Sequence, residues 1–452
     1  MGTGREQQAP VAEGAPQPSE DSYRPVPLLV RVLAFSTFFF PSSMVLAPLG
    51  AVGTVPMILA ALLLLVWFAS ALFGLHDPIG VRHPAQIGPI VFLLATCLSY
   101  VALYSGWTGP STVAARASAD RWLILILVST AIALVVAETV RTIGHALVLV
   151  RALLGGAYIC SAVALVQFQF GTNPVEWLQQ VMPGFTYNGG DTTFQQRGAL
   201  VRVAGTTFSP IELAVVCSML LPLSIWRGVV DPRGQKWLHW LGTALLVFAL
   251  ALTVSRSGIL GFVVAMVVFL PFLPGAARQW ALVAVPAGLA ILFLSVPGLM
   301  GTFAGALAAG GEDPSISTRT NNWPRVVGFF EDRPWLGKGP GNYLPENALH
   351  ILDNQYLNTL VTMGVVGLLG LCCYFLFSCI SAVMAAQLAR SSSLRSLAGA
   401  VAAGAAVATV CSFTFDSMSF PVFALTFPMF VGLSGAVWLM VAEQKISETG
   451  GH

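Results

Sequence analysis

Apolar residues in this chain fall into long blocks, not into the alternating or every-third-residue patterns of soluble elements. About twelve blocks approach the roughly 20 residues a helix needs to cross a bilayer. They cover approximately 32–48, 55–74, 87–107, 122–137, 146–168, 210–226, 237–254, 257–273, 280–299, 356–380, 397–415 and 420–441. The pattern predicts an all-α polytopic membrane protein with about 12 transmembrane helices. Inside hydrocarbon a helix satisfies every backbone polar group by itself. Two polar segments interrupt the series, at about 169–209 and about 300–355. We read 28–442 as a single transmembrane domain. A disordered tail is expected over 1–27, which is rich in Gly, Pro, Ala, Gln and Glu, and a second short tail over 443–452.

Composition agrees. The chain is 56% hydrophobic and 9% charged, with mean hydropathy +0.78, where a soluble domain is about 25% charged. The net charge of +2 says little about partners, while the lack of any basic tract or nucleic-acid motif argues against a nucleic-acid partner. All seven cysteines lie within apolar blocks, so neither a disulfide framework nor a zinc site is expected. No other metal or cofactor motif is evident. The N-terminal stretch lacks the pattern of a cleaved signal.

Lys/Arg bias in short loops sets the orientation. With both termini cytoplasmic, short inner loops carry Arg82, Arg141, Arg151, Arg227, Arg233, Lys236, Arg278, Arg390 and Arg395. Outer basic residues gather in the longer loops, as Arg116, Arg121, Arg197, Arg202, Arg319, Arg325, Arg333 and Lys338. Arg256 is the exception, at a tight outer hairpin. Both large polar segments then face outward, so work on a substrate is expected at the extracytoplasmic surface.

Several residues there can carry chemistry. Arg256, in Thr253-Val-Ser-Arg-Ser-Gly258, is either an anchor to lipid phosphate or a fixed cation facing an anionic substrate. Arginine suits the second role because its planar fork grips phosphate oxygens in pairs and keeps its charge. Arg202 precedes Gly205, Thr206, Thr207 and Ser209, which can offer donors to an anion at a helix start, or simply cap that helix with Pro210 in its first turn. Glu212 follows and suits the helix dipole as well as a site. Arg319 and Arg325 bracket Asn321, Asn322 and Trp323. Gly337-Lys-Gly-Pro-Gly-Asn342 resembles a phosphate cradle but lacks its GKS/GKT ending, which favours a tight turn under the site and leaves Lys338 a possible contact. Asp353 is a general-base candidate or a helix cap. His350 is the rival base, and Asp416 a weaker one.

At these residues the sequence resembles the O-antigen ligase and polymerase superfamily of bacterial envelope enzymes. Three blocks carry the likeness: Arg202-Val-Ala-Gly-Thr-Thr-Phe208, Thr253-Val-Ser-Arg-Ser-Gly258, and the stretch 319–367 with Pro334-Trp-Leu-Gly-Lys-Gly-Pro-Gly-Asn342 and Gly364-Val-Val-Gly367. The resemblance implies a glycosyltransferase in the plasma membrane. It implies an undecaprenyl-diphosphate-linked glycan donor, an acceptor sugar, inversion at the anomeric carbon and no metal or other cofactor. It implies diphosphate binding by Arg202, Arg256 and Arg319. The ligase branch often has histidine where this chain has Asp353, which leaves polymerase, or ligase to another acceptor, open. A polytopic transporter or flippase for an envelope glycolipid is the alternative. It would place its binding groups near the bilayer midplane, where charge is scarce in this sequence.

Overall fold

The computed structural model describes residues 25–77, 80–189, 193–194, 196–197, 200–283, 322–345, 347 and 350–449. The described helices are α1 (Leu28–Phe39), α2 (Val55–Leu72), α3 (Ile87–Tyr104), α4 (Val113–Thr139), α5 (Ile143–Phe170), the short α6 (Val175–Val181), α7 (Pro210–Val230), α8 (Lys236–Leu252), α9 (Arg256–Phe269), the amphipathic α10 (Trp323–Asp332), α11 (Gln355–Leu388), α12 (Ser392–Cys411) and α13 (Pro421–Thr449). Eight helices among the described residues are long and apolar enough to cross a membrane, and α1, α8 and α9 are shorter apolar helices. The block expected at 280–299 lies outside the described residues beyond position 283.

The helices begin where the sequence supplies caps. Thr112, Thr142 and Ser391 accept from Ala115 N, His145 N and Leu394 N at 3.1, 3.1 and 3.2 Å, each satisfying a backbone donor that the first turn leaves open. The first expected span differs from the pattern. It breaks at Phe40, whose extended backbone precedes Pro41, because a proline disfavours helix in the residue before it. The chain instead forms β1 (Met44–Leu46), antiparallel to β2 (Phe185–Tyr187), with Met44 opposite Tyr187. This ties the first span to the first polar segment. A second two-stranded ribbon pairs β3 (Gln196–Arg197) with β4 (Leu200–Val201). Helix α4 also starts earlier than the apolar block, so Arg116 and Arg121 ride on a helix and not in a loop.

Helix α13 forms the axis of the bundle and packs against α4, α11 and α12. Its inner stretch is buried on every side, with Phe423, Phe427, Phe430, Val431 and Leu433 fully buried, as expected of a helix without a solvent or lipid face. Helix α2 lies at the periphery and leaves Leu65, Phe68 and Leu72 exposed. Between apolar helices in lipid, close van der Waals fit replaces the hydrophobic drive. The Ala/Gly-rich α12 supplies it: a Cβ on Gly404 would stand 2.0 Å from the Phe430 ring.

Candidate active site

Three segments meet at one end of the bundle. The first is the strap from Arg202 to Ser209. Gly205 turns it with φ +61, and a Cβ there would meet Cys160 O at 2.7 Å. Gln167 clamps Gly205 from both sides, at 2.8 and 2.9 Å. Thr206 Oγ1 donates to Phe38 O at 2.5 Å, and Thr207 Oγ1 to Ala204 O at 2.8 Å. Ser209 Oγ accepts from Ile211 N at 3.3 Å, as the cap of α7. The anion cradle expected from these residues is therefore a structural knot, because its hydroxyls are engaged with the fold. What the strap presents is Arg202, buried with 8% exposure, whose Nε donates to Thr253 O at 2.8 Å.

The second segment is the α8–α9 junction that Thr253 begins. Val254 has φ +48, a left-handed conformation rare for a β-branched residue. Ser255 Oγ accepts from Gly258 N at 3.4 Å and caps α9. Arg256 is the first residue of α9, where the positive helix end adds to its charge. Two of the sequence blocks are thus joined directly, through Arg202 and Thr253.

The third segment approaches through α12 and α11. Cys411 Sγ lies 3.4 Å from Ser257 O, and Gln355 N donates to Ser412 O at 2.9 Å. These contacts bring the start of α11 to the same end as Arg256. Asp353 sits there with φ +44, left-handed for a residue other than glycine, the kind of backbone strain that gathers at functional sites. The cap of α11 is Asn354, which accepts from Tyr356 N and Leu357 N at 3.0 and 3.2 Å. Asp353 is therefore not the helix cap that its place in the sequence allows.

Beside Asp353 is Asp416. Its Oδ2 accepts from Asn358 Nδ2 at 2.8 Å and Ser419 Oγ at 2.5 Å. Its Oδ1 is buried and has no hydrogen-bond partner among the described residues. Burial, with the like charge of Asp353, pushes the Asp416 carboxyl up to about 6 against the pull of those two donors. Asp416 lines a cavity of about 370 Å³ together with Asn358, Arg121, Trp122, Tyr343 and Ser419. Sequence reading ranked Asp416 low and passed over Arg121, Trp122 and Asn358. The available signal was the position of Asp416 between two apolar blocks.

The glycine-rich loop has a different role from phosphate binding. Helix α11 is broken at Gly364 (φ +64, ψ −162). The loop fills the break: Lys338 N and Gly339 N donate to Val361 O and Thr362 O at 3.2 and 2.8 Å, while Val365 N and Val366 N donate to Pro334 O and Trp335 O at 2.8 and 3.2 Å. A Cβ on Gly364 would lie 2.3 Å from Trp335 C, and one on Gly337 would lie 2.4 Å from Thr362 C. The sequence blocks Pro334–Asn342 and Gly364–Gly367 are two halves of one joint, the tight turn expected under the site. In a transporter the freed groups of a broken helix face the substrate; here the loop takes them.

The remaining candidates separate. Glu212 is fully buried; Oε2 accepts from Phe208 N at 2.8 Å, and Oε1 from Val422 N and Phe423 N at 2.7 and 3.0 Å. It stitches the start of α7 to the start of α13. His350 is half-buried, and its carbonyl accepts from Tyr343 Oη at 2.7 Å. Arg325 and Lys338 flank the Phe329 ring, at 5.8 and 3.3 Å from its centroid. Arg319 lies outside the described residues. No group of three or more His, Cys, Asp or Glu side chains suited to a metal occurs among the described residues.

Residues 241–372 match the model of a family described as O-antigen ligase. The matched segment runs from α8 through the Arg256 junction, α10, the glycine-rich loop and Asp353 to the middle of α11. A comparison with curated proteins found no match.

Proposed function

We propose that the chain is a member of the O-antigen ligase and polymerase superfamily, whose ligase family model its segment 241–372 matches, and that it transfers a glycan from an undecaprenyl-diphosphate-linked donor to an acceptor sugar at the outer face of the plasma membrane. The observation that carries this reading is the Arg202–Thr253 hydrogen bond, which seats Arg202 beside the junction holding Arg256, at the end of the bundle where Asp353 and Asp416 stand.

In the proposed step the Asp353 carboxylate takes the proton of an acceptor hydroxyl. That oxygen forms a bond to the anomeric carbon from the face opposite the diphosphate, and the bond from carbon to the diphosphate oxygen breaks. The anomeric centre inverts, and the lipid diphosphate leaves with the electron pair. Arg202 and Arg256 face the growing charge. A pre-organised cation near a developing anion is often the largest contribution to catalysis, and no metal is needed in this scheme. Arg319 joins them by the family resemblance alone. The cavity beside Asp416 receives the acceptor sugar, with Trp122 and Tyr343 as flat walls and Arg121 and Asn358 as polar contacts. Membrane lipids surround the bundle, and the polyprenyl tail stays among them.

The test is a purified-protein assay with a defined lipid-linked donor. Transfer releases undecaprenyl diphosphate and lengthens or loads the acceptor. A protein that only moves the donor across a bilayer, leaving it chemically intact, would refute the reading.

A further inference from the structure

Three cations, Arg325, Arg333 and Lys338, stand together near the site. Arg325 and Lys338 share one ring: their charged groups lie 5.8 and 3.3 Å from the centroid of Phe329. Arg333 is close enough to Lys338 to act on it. Burial lowers the proton affinity of the Lys338 amine, and Arg333 and Arg325 lower it further, against a smaller opposing effect of Asp332. Among the described residues, the ion pairs involve Arg141, Arg151 and Arg227 but none of these three cations. Like charges that outnumber the Asp332 carboxylate beside them destabilise the compact state. An arriving carboxylate or phosphate removes that repulsion, and a neutral sugar does not.

The geometry of α10 says which way the cluster faces. Arg325 and Phe329 are four residues apart and share one helix face, while Trp323 and Val327 share another about 200° away. Trp323 and Val327 are exposed, the side an interfacial helix turns to lipid. Phe329 instead meets Tyr343 edge-on at 6.2 Å, and Tyr343 is a wall of the cavity that holds Asp416, Arg121 and Trp122. The cluster therefore continues the sugar-sized cavity and turns away from the lipid-facing side of α10. It rests on α10 and the loop against α11, whereas Arg202 and Arg256 are seated at α7, α8 and α9.

We infer that Arg325, Arg333 and Lys338 form a subsite for acidic sugars, so that the glycan this protein handles carries carboxylate or phosphate groups. This inference rests on the glycosyl-transfer reading and names its substrate class. The subsite works as a clamp on the chain next to the reacting sugar, separate from the diphosphate arginines.

The experiment titrates the purified full-length protein in phosphatidylcholine nanodiscs with tetragalacturonate, and with maltotetraose as the neutral probe. Tetragalacturonate is expected to bind at least about 10-fold more tightly, as charge-assisted hydrogen bonds provide. The preference is expected to collapse between about 50 and about 500 mM salt, where screening shortens the reach of charge, and in the Arg325→Gln/Arg333→Gln/Lys338→Gln variant. The salt series uses wild-type protein alone and decides the matter if the variant does not fold. Equal binding of the two probes, or a preference insensitive to both salt and variant, overturns the inference. Phosphatidylglycerol retained by the wild type and lost by the variant in mass spectra, without tetragalacturonate selectivity, makes the cluster a lipid anchor and also overturns it. Wild-type transfer measured on the same samples separates the two readings. Selective binding without transfer refutes the proposed function and not the subsite, and transfer without selectivity refutes the subsite alone.

Discussion

Arg202 donates its Nε hydrogen to the carbonyl of Thr253 at 2.8 Å, across 51 positions of sequence. This bond fixes the guanidinium orientation and ties the strap before α7 to the junction before α9. A guanidinium held in place needs little reorganisation as charge develops nearby.

The first prediction follows from that fixed charge. Arg256→Ala and Arg202→Ala are expected to lower transfer by roughly 100- to 1,000-fold, the scale of losing one electrostatic stabiliser. Arg256→Lys should recover only part, because an ammonium lacks the planar fork. Release of undecaprenyl diphosphate by equal amounts of membrane-inserted protein is the measurement. Wild-type rates in Arg256→Ala would remove its proposed role.

Asp353 separates charge from backbone shape. Its φ of +44 is one that asparagine tolerates well and alanine poorly. Asp353→Asn should keep the wild-type melting temperature while losing transfer by about 100-fold or more, the scale of general-base catalysis. Asp353→Ala should lose transfer and also cost about 1 kcal/mol of stability. Thermal melts in detergent, alongside the transfer assay, distinguish the two effects. Full activity in Asp353→Asn would hand the base role to another group.

Asp416 predicts a pH dependence of stability. Its folded value of about 6 lies above its ordinary 3.8, so the folded state favours the protonated carboxyl. That stabilisation is fully present below about pH 3.8 and is lost as the pH rises through 6. Asp416→Asn should therefore melt higher than wild type at pH 7.5, by roughly 2–4 °C, and the gap should close near pH 4. A gap that stays constant across this range would contradict the protonation argument.

The joint in α11 predicts a steric failure. Gly364→Ala places a methyl 2.3 Å from Trp335 C at φ +64, and a loss of about 2 kcal/mol or more is expected. Gly328→Ala on α10 is the control: a Cβ there meets nothing within 4 Å, so it should be neutral or stabilising by about 0.5–1 kcal/mol. Both are read as shifts in thermal unfolding of detergent-solubilised protein.

The sequence by itself determined the helical membrane architecture, most span positions and several helix starts. Those properties are local. Lipid forces each long apolar block to satisfy its own backbone, and Ser209 caps a donor only two residues away. It also marked Arg202, Arg256 and Asp353, because polar residues beside long apolar blocks are conspicuous. Only the tertiary structure decided the partnerships. Thr206 is bound to Phe38 and not open to a ligand, Glu212 holds a helix start about 210 positions away, and the glycine-rich loop is the complement of a break in α11. Asp416 gained importance through burial next to Asp353, and Arg325 with Lys338 gained it through a shared ring. Each of these depends on distances between segments far apart in the chain, and neither periodicity nor spacing encodes such distances.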